Sequence, residues 1–129
     1  MARERDDGAA VVEFVLVSVL LVLLLFGVLQ VGVYFYARNI VAASAADAAR
    51  YAAAAGVDPG AGGPRAERLI HGGLAGADVT CRSGVGLDPR SHLPVTTVRC
   101  TGRVKAFLAP IDIPLTVDQT SSALREQAP

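Results

Sequence analysis

The chain has 129 residues, of which 52% are apolar, 19% charged and 5% aromatic, with 12 basic and 12 acidic side chains and no tryptophan. A formal net charge of zero, spread without clusters, excludes the electrostatic footprint of a nucleic-acid binder, and the scarcity of aromatic rings excludes base-stacking platforms. So apolar a composition with so few charges points to a membrane segment.

Met1 to Gly8 form a short polar leader, Arg3-Glu4-Arg5-Asp6-Asp7-Gly8. From Phe14 to Ala37 there is no charged residue. A helix of that length, about 24 residues, reaches about 36 Å against roughly 30 Å of hydrocarbon, and so spans a bilayer with some tilt. A secretory signal peptide has a shorter apolar core than this one. Ala43-Ser44-Ala45 imitates a signal-peptidase site but lies far from a normal leader end. Glu13 stands at the mouth of the run, five residues after Gly8. An acidic group inside a span usually has a partner or a function. Alternatively, it sits in the first helical turn at the interface, where the helix dipole favours an anion.

Ile40 to Ala55 is dense in alanine, the best helix former, so one helix of roughly 45 residues is expected from about Ala10 to Ala55. Gly56 suits its C′ position and Pro59 follows. Asp47, Arg50 and Tyr51 would share a face of its exposed half. Asp58-Pro59-Gly60-Ala61-Gly62-Gly63-Pro64 reads as a turn and linker; it is glycine-rich, but no strand precedes it and it lacks the Lys-Ser/Thr ending of a phosphate loop. Arg65 to His71 reads as a short helix with Leu69, Ile70 and Leu74 as apolar contacts.

The remainder is strand-like. Val79-Thr80-Cys81 forms a first strand, Val95 to Val104 a second, and Leu115 to about Ser122 a third with Leu115 and Val117 facing inward. On the second, Val98, Cys100 and Val104 share one face and Arg99 and Arg103 the other. Pro110 and Pro114 make Ile111-Asp112-Ile113 an edge or a connection. Arg82 to Pro94 should be an exposed loop. Cys81 and Cys100, beyond the membrane run, are most simply a disulfide in a small extracytoplasmic domain, the alternative being two reduced, buried thiols; their spacing from His71 and His92 is not that of a zinc site. Neither histidine has a neighbouring Ser, Cys or carboxylate arrangement that reads as a catalytic triad, and a small envelope enzyme using one of them is the weakest reading.

Taken together, Asp7-Gly8-Ala9-Ala10-Val11-Val12-Glu13-Phe14, Phe26-Gly27-Val28-Leu29-Gln30-Val31-Gly32 and Ala45-Ala46-Asp47-Ala48-Ala49-Arg50 resemble the N-terminal signature of the TadE-like family, over about residues 7–50. Its members are small pilin-like subunits of the Tad (Flp-type) pilus apparatus with a prepilin-like leader. The resemblance implies cleavage between Gly8 and Ala9 by a prepilin peptidase. It also implies that Glu13, at mature position five, pairs with the freed α-amino group of a neighbouring subunit. The chain departs from the family's usual pattern at Ser18-Val19, where a proline is common, at Gln30, where an acidic residue is common, and at Asp6-Asp7, where basic residues are common.

The expected fold is α+β: a long N-terminal transmembrane helix, then a small antiparallel β-meander head with one short helix. The expected divisions are a leader at 1–8, a transmembrane and projecting helix at 9–55, a linker at 56–64 and an extracytoplasmic head at 65–129. The expected function is that of a minor pilin or pseudopilin, with no catalysis and no cofactor. Its partners would be the lipid bilayer, prepilin peptidase, other pilin-like subunits and the Tad machinery, and no nucleic acid. The N-terminus would lie in the cytoplasm and the head outside the bacterial inner membrane, possession of a leader leaving open a pilus-associated fate after processing. The rival is a bitopic anchored protein whose head binds an envelope ligand.

Overall fold

The structure, a computed structural model, describes residues 2–104 and 115–127, with side chains described from Gly8 onward. The edge or connection expected at Ile111-Asp112-Ile113 lies outside the described residues. The described elements are a helix α1 (Ala2–Ala53), a 3-10 turn (Pro59–Ala61), a helix α2 (Gly62–Gly73) and strands β1 (Asp78–Leu87), β2 (Pro94–Val104) and β3 (Leu115–Leu124). The α+β arrangement matches the sequence reading.

α1 starts earlier than the apolar pattern alone suggests, because the leader continues the same helix. At 52 residues it is about 78 Å long. Its outer part is also the first wall of the core. Ala37, Val41, Ala45, Ala48 and Ala52 follow one another at spacings of four, four, three and four, and all are buried. Four of the five are alanine, which lets the backbone of α1 lie close to the sheet.

The glycine-rich stretch read as a linker is instead packed. α2 begins at Gly62, three residues before the expected start, and both Gly62 and Gly63 are buried. A Cβ on Gly62 would come within 2.9 Å of Val98 Cγ2 and 3.1 Å of Ala52 Cβ, and one on Gly63 within 2.8 Å of the Cys81 carbonyl oxygen. These glycines serve close approach, not flexibility. At its other end α2 meets α1 at Ile40, whose Cγ2 lies 3.0 Å from where a Gly73 Cβ would be. α2 therefore runs back along α1 toward the membrane side. Ile70 and Leu74 are buried as expected, joined by Ala66, whereas Leu69 faces solvent at 40% exposure.

The sheet is an antiparallel meander in the order β1-β2-β3. Val98, Cys100, Val104 and Val117 face the helices and are buried, while Leu115 is half-buried and Arg99 and Arg103 are exposed. The loop expected over Arg82–Pro94 shrinks to a short turn, because β1 continues to Leu87 and pairs there with Pro94. Within that turn Asp88 N–H donates to Leu93 O at 3.0 Å and His92 N–H to Asp88 O at 2.9 Å, and His92 takes a φ of 55°. Asp88 also closes a local turn by accepting from Arg90 N–H at 2.8 Å. That bond holds its carboxyl below the usual carboxylate range.

Candidate functional site

Gly8–Ala53 is, among the described residues, the one helix long and apolar enough to cross a membrane. Its large side chains from Val11 to Val31 are exposed, with no protein around them. Nothing covers that surface except what surrounds the molecule, and hydrocarbon is the solvent it suits. Ser18, within the uncharged run, satisfies its hydroxyl internally by donating to Phe14 O at 2.8 Å. A hydroxyl bonded this way can lie in hydrocarbon without an external partner. Tyr34 and Tyr36 stand near the end of the uncharged run, at the level where tyrosines favour a membrane interface.

Gly8, Ala9 and Glu13 are all exposed on α1. At about 100° per residue, Gly8 and Glu13 point about 140° apart around the helix axis. A shallow apolar groove lined by Val11, Val12, Val15, Leu16 and Val19 lies on the side of the helix that Gly8 faces and not on the side of Glu13. The expected processing and assembly residues therefore sit on one helical surface, although not on one face of it. A second polar group in the run, Gln30, has its Oε1 buried without a hydrogen-bond partner.

Cys81 and Cys100 form a disulfide, with their Cα atoms 4.1 Å apart. They are directly opposite each other in the β1–β2 register, and both face the core. The Cys81 N–H is turned away from β2 and donates to Glu67 Oε1 of α2 at 2.8 Å. The two cysteines thus occupy a non-hydrogen-bonded pair, the closer of the two antiparallel pair types. Beside it, Gly63 N–H donates to Ser83 Oγ at 3.0 Å. Together these two bonds tie α2 to β1 at Cys81 and Ser83.

Asp47 and Tyr51 meet the same partner. Asp47 Oδ2 accepts from Arg65 Nε at 2.9 Å, and the Arg65 guanidinium lies 4.5 Å over the Tyr51 ring. The sequence placed Asp47 and Tyr51 on one face but gave no sign of Arg65, which reaches them from α2. On the outer face of the sheet Arg99 grips Asp118 with two bonds, Nε to Oδ1 at 3.1 Å and Nη2 to Oδ2 at 2.7 Å. The bond from Arg99 holds the Asp118 carboxyl below its ordinary range and raises Arg99 in turn. A shallow hollow beside this pair is lined by Thr80, Arg82, Arg99 and Thr101.

His71 lies exposed near the end of α2 and His92 exposed in the β1–β2 turn. Among the described residues no three His, Cys, Asp or Glu side chains gather where they could hold a metal.

No curated protein and no solved structure matches this chain. The family described as TadE-like protein does match, over residues 8–50, which run from the glycine before the apolar surface to the alanine face that packs on the sheet, so about a third of the chain is similar to that family.

Proposed function

We propose that this protein is a membrane-anchored minor pilin or pseudopilin of a Tad (Flp-type) pilus system, acting in pilus assembly or secretion without catalysing a reaction. One observation carries the reading: the TadE-like segment coincides with a single helix that is bare and apolar below and forms the wall of a small folded head above. In this reading the helix crosses the bacterial inner membrane once, with the leader in the cytoplasm and the chain beyond Arg38 outside. A disulfide in the head fits the oxidising side of that membrane.

Prepilin peptidase removes the leader between Gly8 and Ala9, two exposed residues that the enzyme can reach after local unwinding of the helix. Glu13 then becomes the fifth residue of the mature chain. Its carboxylate meets the freed α-amino group of a neighbouring pilin-like subunit, since two opposite charges in apolar surroundings are tolerated mainly when they meet. Intact-mass measurement of protein extracted from cells containing the peptidase tests this. Loss of residues 1–8, abolished by Gly8→Val, is the expected result. A full-length N-terminus favours the rival in which the helix is only an anchor and the head binds an envelope ligand.

A further inference from the structure

The edge of β1 is treated in two different ways along its length. From Cys81 to Ser83 it is covered by α2: Glu67 takes the Cys81 N–H, and the bare backbone of Gly63 fits against the Cys81 carbonyl. From Gly84 to Leu87 its outward backbone groups make no hydrogen bond to another element among the described residues, although the 3-10 turn Pro59–Ala61 packs near β1. That stretch is also free of the devices that keep a sheet edge from recruiting another strand, having no proline, no lysine and no bulge. Val85 and Leu87 are 53% and 66% exposed, and Leu93 in the adjoining turn is 49% exposed.

Parity along the strand decides which groups are open. The Cys81 N–H points outward to Glu67, so the backbone groups of alternate residues, Ser83, Val85 and Leu87, point to the same outer edge. Their side chains lie on the face that Cys81 shares with the core. On the opposite face of the same strand stands Arg82, directly across from Arg99 in the register. Like charges placed opposite each other are unfavourable, and Asp118 relieves Arg99 alone.

We propose that the Gly84–Leu87 edge of β1 is a docking site for an extended segment of another extracytoplasmic protein, added as a fourth strand. That segment carries apolar residues against Val85 and Leu87 and a carboxylate beside Arg82. The recognition is strand addition, in which main-chain hydrogen bonds hold the segment and alternate side chains select it. Charge complementarity at Arg82 and the apolar pair on the other face specify the chemistry of the two sides. β1 runs from the level of Ile40, where α2 ends, past the level of Ala52, where α2 begins, so this open stretch lies at the pole of the head farthest from the membrane. A second copy pairing through the same edge does not supply the carboxylate, because Arg82–Leu87 contains no acidic residue. The inference concerns the head alone and does not depend on leader cleavage or on Glu13.

The test uses the full chain in detergent micelles and two synthetic peptides. One alternates valine and threonine and carries a single central glutamate; the other has lysine in place of that glutamate. The glutamate peptide should bind, slow amide exchange at Val85 and Leu87, and bind more tightly than the lysine peptide. Val85→Pro removes an N–H that the fold does not use and should weaken binding at least about tenfold while leaving the disulfide formed. Arg82→Glu should reverse the preference between the two peptides, and it keeps the proposal testable if the proline variant misfolds. Failure of the glutamate peptide to protect these two amides overturns the proposal. So does equal binding by wild type and a folded Val85→Pro variant, or self-association through this edge.

Discussion

The backbone N–H of Glu126 donates to the carbonyl oxygen of Ala53 at 2.8 Å, so the C-terminal stretch closes the end of the first helix. The last carbonyls of a helix have no partner within it. Gly56, with a φ of 78°, turns the chain away as the sequence suggests, but a residue from the far end of the chain supplies the bond. Next to it Arg125 N–H donates to Pro94 O at 3.0 Å, tying the same stretch to the start of β2.

Glu126→Pro, which removes that N–H, should therefore lower the stability of the head by about 1–3 kcal/mol, whereas Glu126→Ala, which keeps it, should cost much less. Chemical denaturation of the two variants, followed through the fluorescence of the head tyrosine Tyr51, separates them. Equal stability of the two would mean that the side chain or the sequence change, and not the backbone bond, is what matters.

Replacing Cys81 and Cys100 together by alanine should cost on the order of 3 kcal/mol in the chain-entropy account of a loop of this size, their sequence separation being 19. For a head this small that is a large share of its stability. Peptide mapping without reductant should recover the Cys81–Cys100 linkage from protein in its native membrane, and alkylatable free thiols there would contradict the extracytoplasmic assignment.

Gly63→Ala should destabilise the head by about 1–3 kcal/mol, because the new methyl group meets the Cys81 carbonyl and neither element can retreat without breaking the Glu67 bond beside it. Gly72→Ala, nine residues along the sequence on the same helix and open on every side, should be neutral or stabilising. A melting experiment on both variants checks the contrast.

Glu13→Gln should leave membrane insertion, leader removal and the head intact while reducing crosslinking to other pilin-like subunits. If Glu13 were only an interfacial anion near a helix start, worth roughly 0.3–1 kcal/mol, the substitution would change little. Partner recovery equal to wild type at equal expression would remove the assembly role.

The Arg99–Asp118 pair should give a small pH dependence of defined sign. A carboxyl whose folded value is depressed contributes stability that is present above its unfolded value and is lost as pH falls through the folded one. Asp118→Asn should thus erase part of the loss seen on acidification below the usual carboxylate range, and added salt should shrink the difference, since both side chains are in solvent. Identical acid profiles for wild type and variant would deny the pair any role.

Much of this architecture can be read from the chain because two periodicities are strong in it. An uncharged run of leucine and valine this long and this exposed suits a membrane span, and the alternation of Val98, Cys100 and Val104 with Arg99 and Arg103 sets which face of β2 is buried and makes the disulfide geometrically natural. What escaped was packing between distant segments. Gly62 and Gly63 look like linker residues until the neighbours that require their lack of a side chain are known. Gly84 and Gly86 hide the second half of β1 for the opposite reason, since their conformational freedom lowers any strand signal although the ladder with β2 continues through them. Arg65, Glu67 and Glu126 act across separations that no local pattern records.

α1 enters the head without interruption, and the same alanines that continue the membrane rod are the floor on which the sheet rests. The molecule consequently has no swivel between its anchor and its outer pole. A neighbour that turns the helix about its long axis within the bilayer turns the β1–β2 tip through the same angle. Any lateral contact that sets the rotation of the helix would therefore also set where the head points, and the compass bearing of the distal surface would read out how such helices are arranged.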